Sequence, residues 1–186
     1  MKLTPLLKSL LLEKKGDSYE KGCVMLYFNF PQMKEIQDQI PKEDLYTEEG
    51  DRTYGLEDES HTTLLYGIDR GVQLDEVVDI LDDFTYSPCK IHNASVFTHP
   101  NYDVLKFDVS GANLKETNAA LTENLPYKND FPNYKPHLTI GYVKSGLGKK
   151  YTDLFEDKEY DLIPKYAVFS SPPNKKDKIV IKVKKK

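Results

Sequence analysis

The sequence predicts an α+β fold in which two antiparallel sheets are covered on one face by helices. Segments with strand-like and helix-like patterns follow one another in the order β-α-β-α-β-β-α-β-α-β-β, and the two halves have similar content. Paired strands separated by single helices are typical of α+β domains. In addition, 186 residues with 39% hydrophobic and 30% charged side chains are enough to bury one sizeable core.

The first half contains two predicted strands and two predicted helices. A dense apolar run over 23–30 predicts a strand that Pro31 ends, and 33–40 predicts a short helix. An acidic loop over 43–59, which we expect to be a solvated cover, leads into a strand over 60–67. The second helix is predicted from apolar residues at helical spacing, which are Leu74, Val77, Val78, Leu81 and Phe84.

The second half continues the alternation. Segments 90–97 and 103–110 predict a β-hairpin. Asn113 and Glu116 have the spacing of a capping box, which predicts a helix running to about Leu125. The remaining predicted elements are a strand over 136–143, a short helix near 150–156, and a closing hairpin of 166–171 and 178–184.

Two parts of the chain are expected: an N-terminal amphipathic helix over 1–18 and a single two-lobed domain over 19–186. Thr4 can cap the helix, and its apolar stripe can dock on the domain or on a partner protein. Lys8 interrupts the apolar run and no small-residue cleavage site follows, so we expect no signal peptide. No stretch approaches the roughly 18 apolar residues of a membrane span, so we expect no membrane partner.

The charge balance argues against a general nucleic-acid coat or a duplex-DNA partner, because the net charge is −4. The charge is uneven, since residues 175–186 carry +6 and the rest of the chain carries −10. We expect these C-terminal lysines to form a solvated strand and tail rather than an anion-binding patch. Cys23 and Cys89 show no paired spacing, which favours a reducing compartment and a cytoplasmic protein.

The stretch 60–67, SHTTLLYG, contains a His-x-Thr motif within a predicted strand. Residues i and i+2 of a strand lie on the same face, roughly 6.5–7 Å apart. His61 and Thr63 are therefore expected to share one face. The opposite face is expected to carry Thr62, Leu64 and Tyr66.

The stretch 136–143, PHLTIGYV, repeats this pattern 76 residues further along the chain. His137 and Thr139 are expected to share a face, and a tyrosine follows each histidine by five residues. Taken alone, either histidine is more readily explained as a hydrogen-bonded structural residue of a strand. Two such motifs in matching contexts instead indicate an internal pseudo-repeat and one shared site.

Two facing imidazoles with two hydroxyls suit phosphodiester chemistry. A neutral histidine can take a proton from the attacking hydroxyl or water, and a protonated histidine can give one to the leaving oxygen. The threonine hydroxyls can donate to the non-bridging phosphate oxygens. No cysteine or carboxylate has ligand spacing and threonine is a poor transition-metal ligand, so we expect no metal and no cofactor. Two equivalent histidines also do not resemble a serine-type triad.

The paired motifs resemble the 2H phosphoesterase superfamily, in which each of two lobes contributes one His-x-Thr strand to a central cleft. The flanking stretches GCVMLYFNFP, GLEDESHTTLLYG and YKPHLTIGYV are most similar to phage anti-CBASS nucleases. That resemblance implies a bilobal fold and a host-cell cytoplasmic, metal-independent phosphodiesterase. It would cleave the 3′–5′ linkages of cyclic di- and trinucleotide immune messengers such as cGAMP. By the same resemblance, the catalytic residues would be His61, Thr63, His137 and Thr139.

For a ribonucleotide ring, the 2′-hydroxyl of the substrate can be the nucleophile, with His61 as base and His137 as acid in the first step. The sequence does not fix this polarity. Further substrate-binding candidates are Tyr27, Tyr134, Lys144 and Tyr166. The structural explanation is the more common one for each of them: a sheet or core position for the three tyrosines, and a solvated turn for Lys144.

Two alternatives remain open from the sequence. The first is an RNA 2′,3′-cyclic phosphodiesterase, which should prefer linear ends and a more basic groove than this acidic chain offers. The second is a non-catalytic protein, either a binder of cyclic nucleotides or a virion component. The leucine-striped N-terminal helix is its main support, whereas the presence of both complete motifs speaks against lost catalysis.

Overall fold

The computed structural model of this protein describes residues 21–48, 54–130, 133–173 and 175–184. The predicted N-terminal helix over 1–18 lies outside the described residues. The helices are α1 (Met33–Gln37), α2 (Leu74–Asp82), α3 (Leu114–Asn124) and α4 (Gly148–Leu154). The strands are β1 (Gly22–Asn29), β2 (His61–Ile68), β3 (Thr85–Tyr86), β4 (Cys89–Thr98), β5 (Tyr102–Gly111), β6 (His137–Lys144), β7 (Tyr160–Ser171), β8 (Lys175–Ile179) and β9 (Lys182–Val183).

The predicted order of elements is confirmed, apart from the two-residue strands β3 and β9, which pair with each other in parallel. Helix α2 is amphipathic, as its spacing predicts, and buries Val77 and Leu81. A capping box does begin a helix, but it is formed by Gln73 and Glu76 at α2. The capping box predicted at Asn113 is wrong, because that residue adopts a left-handed conformation and its side chain donates to the carbonyl of Thr85.

Seven strands form one antiparallel sheet in the order β2-β1-β7-β4-β5-β6, with β8 also paired to β7. Two separate sheets were expected; β7 instead joins their strands in one path. It can do so because it is 12 residues long: residues 160–162 pair with β4 and residues 163–170 pair with β1. We refer to β2, β1, the C-terminal part of β7 and β8 as the first half-sheet. The second half-sheet consists of the N-terminal part of β7 with β4, β5 and β6.

The two ends of this path meet. Strands β2 and β6 are its terminal strands, and they pack against each other. The hydroxyl of Tyr134, in the segment before β6, donates to the carbonyl of Thr63 on β2 at 3.0 Å. The sheet therefore curls until its two terminal strands, which carry the two His-x-Thr motifs, lie side by side.

One large apolar core fills the space between the sheet and the helices. Leu26, Leu64, Phe107 and Leu138 come from four different strands and are fully buried in it. The closing hairpin differs from its prediction. Its second strand was predicted over 178–184, whereas β8 already begins at Lys175, within the segment predicted as the turn. The lysines at the start of β8 thus belong to the sheet.

Candidate active site

Both His-x-Thr motifs begin a terminal strand of the sheet. In β2, His61 and Thr63 are half-buried, whereas the residues between and after them are buried. In β6, His137 and Thr139 are half-buried in the same alternation. The predicted sharing of a face is therefore confirmed for each motif, and the other face of each strand belongs to the core.

A β-bulge follows each motif at the third residue after the histidine. In β2, Met25 pairs with Thr63 while Val24 pairs with Leu65, so Leu64 is the extra residue. In β6, Lys106 pairs with Thr139 while Leu105 pairs with Gly141, so the extra residue is Ile140. Because a bulge shifts the alternation by one residue, it changes which face the following side chains occupy.

The bulges bring the repeated tyrosine back to the face of its histidine. Tyr66 belongs to one apolar cluster with Met25 and Tyr27, and these two residues of β1 are directly opposite Thr63 and His61. The expectation that Tyr66 lies on the opposite face is therefore wrong, since a regular two-residue period was assumed. The two motifs match in three dimensions over six residues, from histidine to tyrosine, which supports the internal pseudo-repeat.

Each imidazole is held by the same backbone hydrogen bond. Nδ1 of His61 lies 3.0 Å from the carbonyl oxygen of Glu59, and Nδ1 of His137 lies 3.0 Å from that of Lys135. A carbonyl oxygen only accepts hydrogen bonds, so Nδ1 carries the proton in both rings. The neutral form of each ring then presents the lone pair of Nε2, the nitrogen that can exchange a proton with a substrate.

The surroundings of His137 favour its neutral form. Burial lowers the pKa of His137 to about 4, and the charges of Lys106 and His61 act in the same direction. The hydrogen bond to the Lys135 carbonyl and the charge of Asp108 oppose this shift. The effect of His61 on this pKa, together with the packing of β2 against β6, means that the two imidazoles lie within electrostatic range of each other.

A partly buried ion pair beside His137 could not be recognised as part of the site from the His-x-Thr motifs alone. The ammonium of Lys106 donates to Asp108 at 2.9 Å and to Ser95 at 2.8 Å, and it lies 4.8 Å from the centre of the Phe97 ring. That ring in turn packs edge-to-face on His137 with centroids 5.1 Å apart. Lys106 and Asp108 are two residues apart on a strand, the same i, i+2 spacing as His-x-Thr, and that signal could have identified them.

The first half-sheet presents an aromatic row beside His61. The Tyr27 ring stacks on His61 with centroids 5.2 Å apart and on Tyr166 with centroids 5.0 Å apart. The Tyr166 hydroxyl donates to Glu59 at 3.0 Å. Burial and then the charge of Glu59 raise the pKa of Tyr27, so its hydroxyl stays protonated. The structure thus brings two of the four further candidates, Tyr27 and Tyr166, to the histidine.

The other two further candidates are placed differently. Tyr134 lies next to the site but links the segment before β6 to β2, and it lines a cleft of about 530 Å³ together with Asp108 and Lys135. Lys144 ends β6, seven residues from His137, which corresponds to about 20 Å along a strand. Lys144 therefore lies outside the site, contrary to the sequence-based expectation.

Among the described residues, no three or more His, Cys, Asp or Glu side chains group in a way that could hold a metal ion. Over the same part of the chain, no helix has the length and apolar character needed to cross a membrane.

No family model and no curated protein matches the sequence. The structure is similar to Usb1 from Kluyveromyces marxianus, with a TM-score of 0.56, 9% identity, and coverage of 88% of this chain and 99% of that chain. Usb1 with uridine monophosphate gives a TM-score of 0.55, 10% identity, and coverage of 87% and 98%. E. coli LigT complexed with 3′-AMP gives a TM-score of 0.44 and 13% identity, with coverage of 88% of this chain and 97% of that chain. At these identities the likeness to Usb1 establishes a shared fold.

Proposed function

We propose that this protein is a metal-independent phosphodiesterase of the 2H type, with His61 and His137 as its acid–base pair. The observation that carries the proposal is the matched geometry of the two motifs. Each ring is fixed through Nδ1 to a carbonyl two residues earlier, and the two strands that carry them pack together. The shared fold with Usb1, whose structure was determined with uridine monophosphate, supports a nucleotide as ligand.

The proposed first step is an internal transfer within a ribonucleotide. The 2′-hydroxyl attacks the phosphorus and loses its proton to Nε2 of one imidazole, while the other imidazolium gives its proton to the departing 5′-oxygen. A 2′,3′-cyclic phosphate and a free 5′-hydroxyl result, so protons and charges balance. The Thr63 and Thr139 hydroxyls donate to the non-bridging oxygens as negative charge develops there.

The lowered pKa of His137 favours it as the base of this step, because the base must begin neutral. His61 is then the acid. This polarity is the reverse of the sequence-based assignment, which had no information about burial. Water can hydrolyse the cyclic phosphate in a second step with the two roles exchanged.

We further propose that the substrate is a cyclic di- or trinucleotide messenger, cleaved as a countermeasure to antiphage defence in the host-cell cytoplasm. The flanking sequence stretches support this choice. The two walls of the site support it as well, because an aromatic row lies beside His61 and a charged pair beside His137. Such unlike walls suit a ligand that presents both bases and phosphates.

The test is to incubate the protein with 3′,3′-cGAMP and with cyclic triadenylate in EDTA and to separate the products by chromatography. We expect cleavage by the wild type and a loss of about 10²–10⁴-fold in turnover for His61→Ala and for His137→Ala. His99→Ala is the matched control, because that histidine lies in a hairpin turn and stacks on Tyr102.

Other outcomes would contradict the proposal in distinct ways. Cleavage of linear 2′,3′-cyclic ends alone would make the protein an RNA-end phosphodiesterase. Tight binding of intact cyclic ligand would make it a binding protein. Equal turnover in the two alanine variants would remove the paired-histidine mechanism.

A further inference from the structure

The first half-sheet carries a row of four groups that begins at the catalytic imidazole and ends at an ammonium. His61, Tyr27 and Tyr166 are directly opposite one another on three neighbouring strands. The ammonium of Lys178, on β8, lies 4.0 Å from the centre of the Tyr166 ring. A cation over an aromatic face is attracted by its electrons, so Tyr166 helps to hold this ammonium in place.

The strand register puts a second lysine on the same face. Lys178 pairs with Val168, whose other neighbour is Met25, and Lys176 pairs with Ser170. Directly paired residues of antiparallel strands point to the same side of a sheet. Both lysines therefore lie on the face of His61 and Thr63, at the outer edge of the half-sheet. They are exposed, two residues apart, and thus roughly 6.5–7 Å apart along β8.

The charges of these two lysines are not neutralised by the described part of the chain. No carboxylate of the described residues lies within ion-pair distance of either lysine. The one acidic residue of β8, Asp177, pairs with Lys175 at 2.9 Å. Asp177 is opposite Phe169, so this ion pair belongs to the other face of the sheet.

We propose that Lys176 and Lys178 form a second anion-binding subsite, which holds a phosphate of the substrate other than the one being cleaved. Strand β8 lies three strand spacings from β2, which is about 14 Å. That is too far for one phosphate to contact both the imidazoles and Lys178. The floor between them is apolar and is formed by Met25 and Val168 with the two tyrosines.

This inference rests on the proposed function and narrows its substrate class. The substrate is an oligonucleotide, cyclic or linear, with at least one phosphate beyond the scissile one, and a single nucleoside 2′,3′-cyclic phosphate is too short to use the subsite. Lys176 and Lys178 were expected to belong to a solvated strand and tail. As part of this subsite, they bind the substrate.

The experiment compares a long and a minimal substrate in the full chain. The double variant Lys176→Met/Lys178→Met should raise KM for cyclic triadenylate about tenfold while leaving kcat within twofold. Hydrolysis of a nucleoside 2′,3′-cyclic phosphate, which has one phosphate and undergoes only the second step, should be unchanged. Lys175→Met is the matched control, because this lysine lies on the same strand but on the opposite face.

Salt dependence gives a second readout. Neutralising one phosphate of a single strand contributes a slope of about −0.7 to the plot of log affinity against log salt concentration. That slope should become shallower by about this amount in the double variant and should not change in Lys175→Met. Unchanged affinity and slope in the double variant, or an equal loss on the minimal substrate, would overturn the subsite.

The two proposals fail in different ways. If the wild type cleaves cyclic triadenylate and the double variant behaves like it, the subsite is wrong and the phosphodiesterase stands. If the wild type cleaves nothing, the proposed function is wrong, and calorimetric titration with cyclic triadenylate decides the subsite alone. Weaker binding in the double variant than in Lys175→Met would then support it, and equal binding would refute it.

Discussion

Replacing Lys106 by methionine should raise the pKa of His137. Lys106 places a buried positive charge near the ring, and that charge is one of the causes that lower this pKa to about 4. Methionine has an unbranched side chain only one atom shorter than that of lysine, and it removes the charge. It also leaves the negative charge of Asp108 without its lysine partner, which raises the pKa of His137 further.

The size of the effect follows from Coulomb's law. Both Lys106 and His137 contact the Phe97 ring, with distances of 4.8 Å and 5.1 Å to its centre, so the two charges are at most about 10 Å apart. At that separation and an effective dielectric constant of about 20, the repulsion is about 1.7 kcal/mol, which corresponds to roughly 1.2 pKa units. Burial remains, so the pKa should stay below the ordinary value of about 6.5.

The assay is an NMR titration of the histidine ring protons, with His137→Gln used to assign the signal. The double variant Lys106→Met/Asp108→Asn is the control, since removing both charges should return the pKa close to that of the wild type. Enzyme kinetics provide a parallel measurement, because the acid limb of the rate profile should move to higher pH in Lys106→Met. An unchanged or lower pKa of His137 in this variant would refute the electrostatic account.

Two further predictions concern stability. Because His137 has a lower pKa when folded than when unfolded, the unfolded chain binds more protons between pH 6.5 and about 4, and stability should fall as the pH falls through this window. Between pH 7 and pH 4, the free energy of unfolding, measured with urea, should fall by up to about 3 kcal/mol less in His137→Gln than in the wild type. The same fall in both proteins would contradict this. Gly67, which follows Tyr66, has φ of +93°, and a Cβ there would lie 2.3 Å from the backbone oxygen of Lys128. Gly67→Ala should therefore lower the free energy of unfolding by about 2–4 kcal/mol, whereas Gly71→Ala, where nothing lies within 4 Å, should change it little; equal effects of the two would be inconsistent with a steric cause.

Local patterns in the sequence determined the order of the elements and the pairing of each histidine with its threonine on one face. These properties depend only on the two-residue period of a strand and the 3.6-residue period of a helix, which neighbouring residues set. The sequence alone also showed that the two motifs form a repeat, because each motif is complete within eight residues. The match extends to the tyrosine five residues after each histidine, although its face was predicted wrongly in β2.

Tertiary structure decided what surrounds the motifs. The bulges at Leu64 and Ile140 arise from register against β1 and β5. The charges near His137 come from Lys106 and Asp108 on β5, which precede it by 31 and 29 residues. Long-range strand pairing likewise brought Lys178 onto the face of His61. Burial and Coulomb interactions depend on distances in space, so the pKa of His137, and with it the choice of base, could only follow from the folded chain.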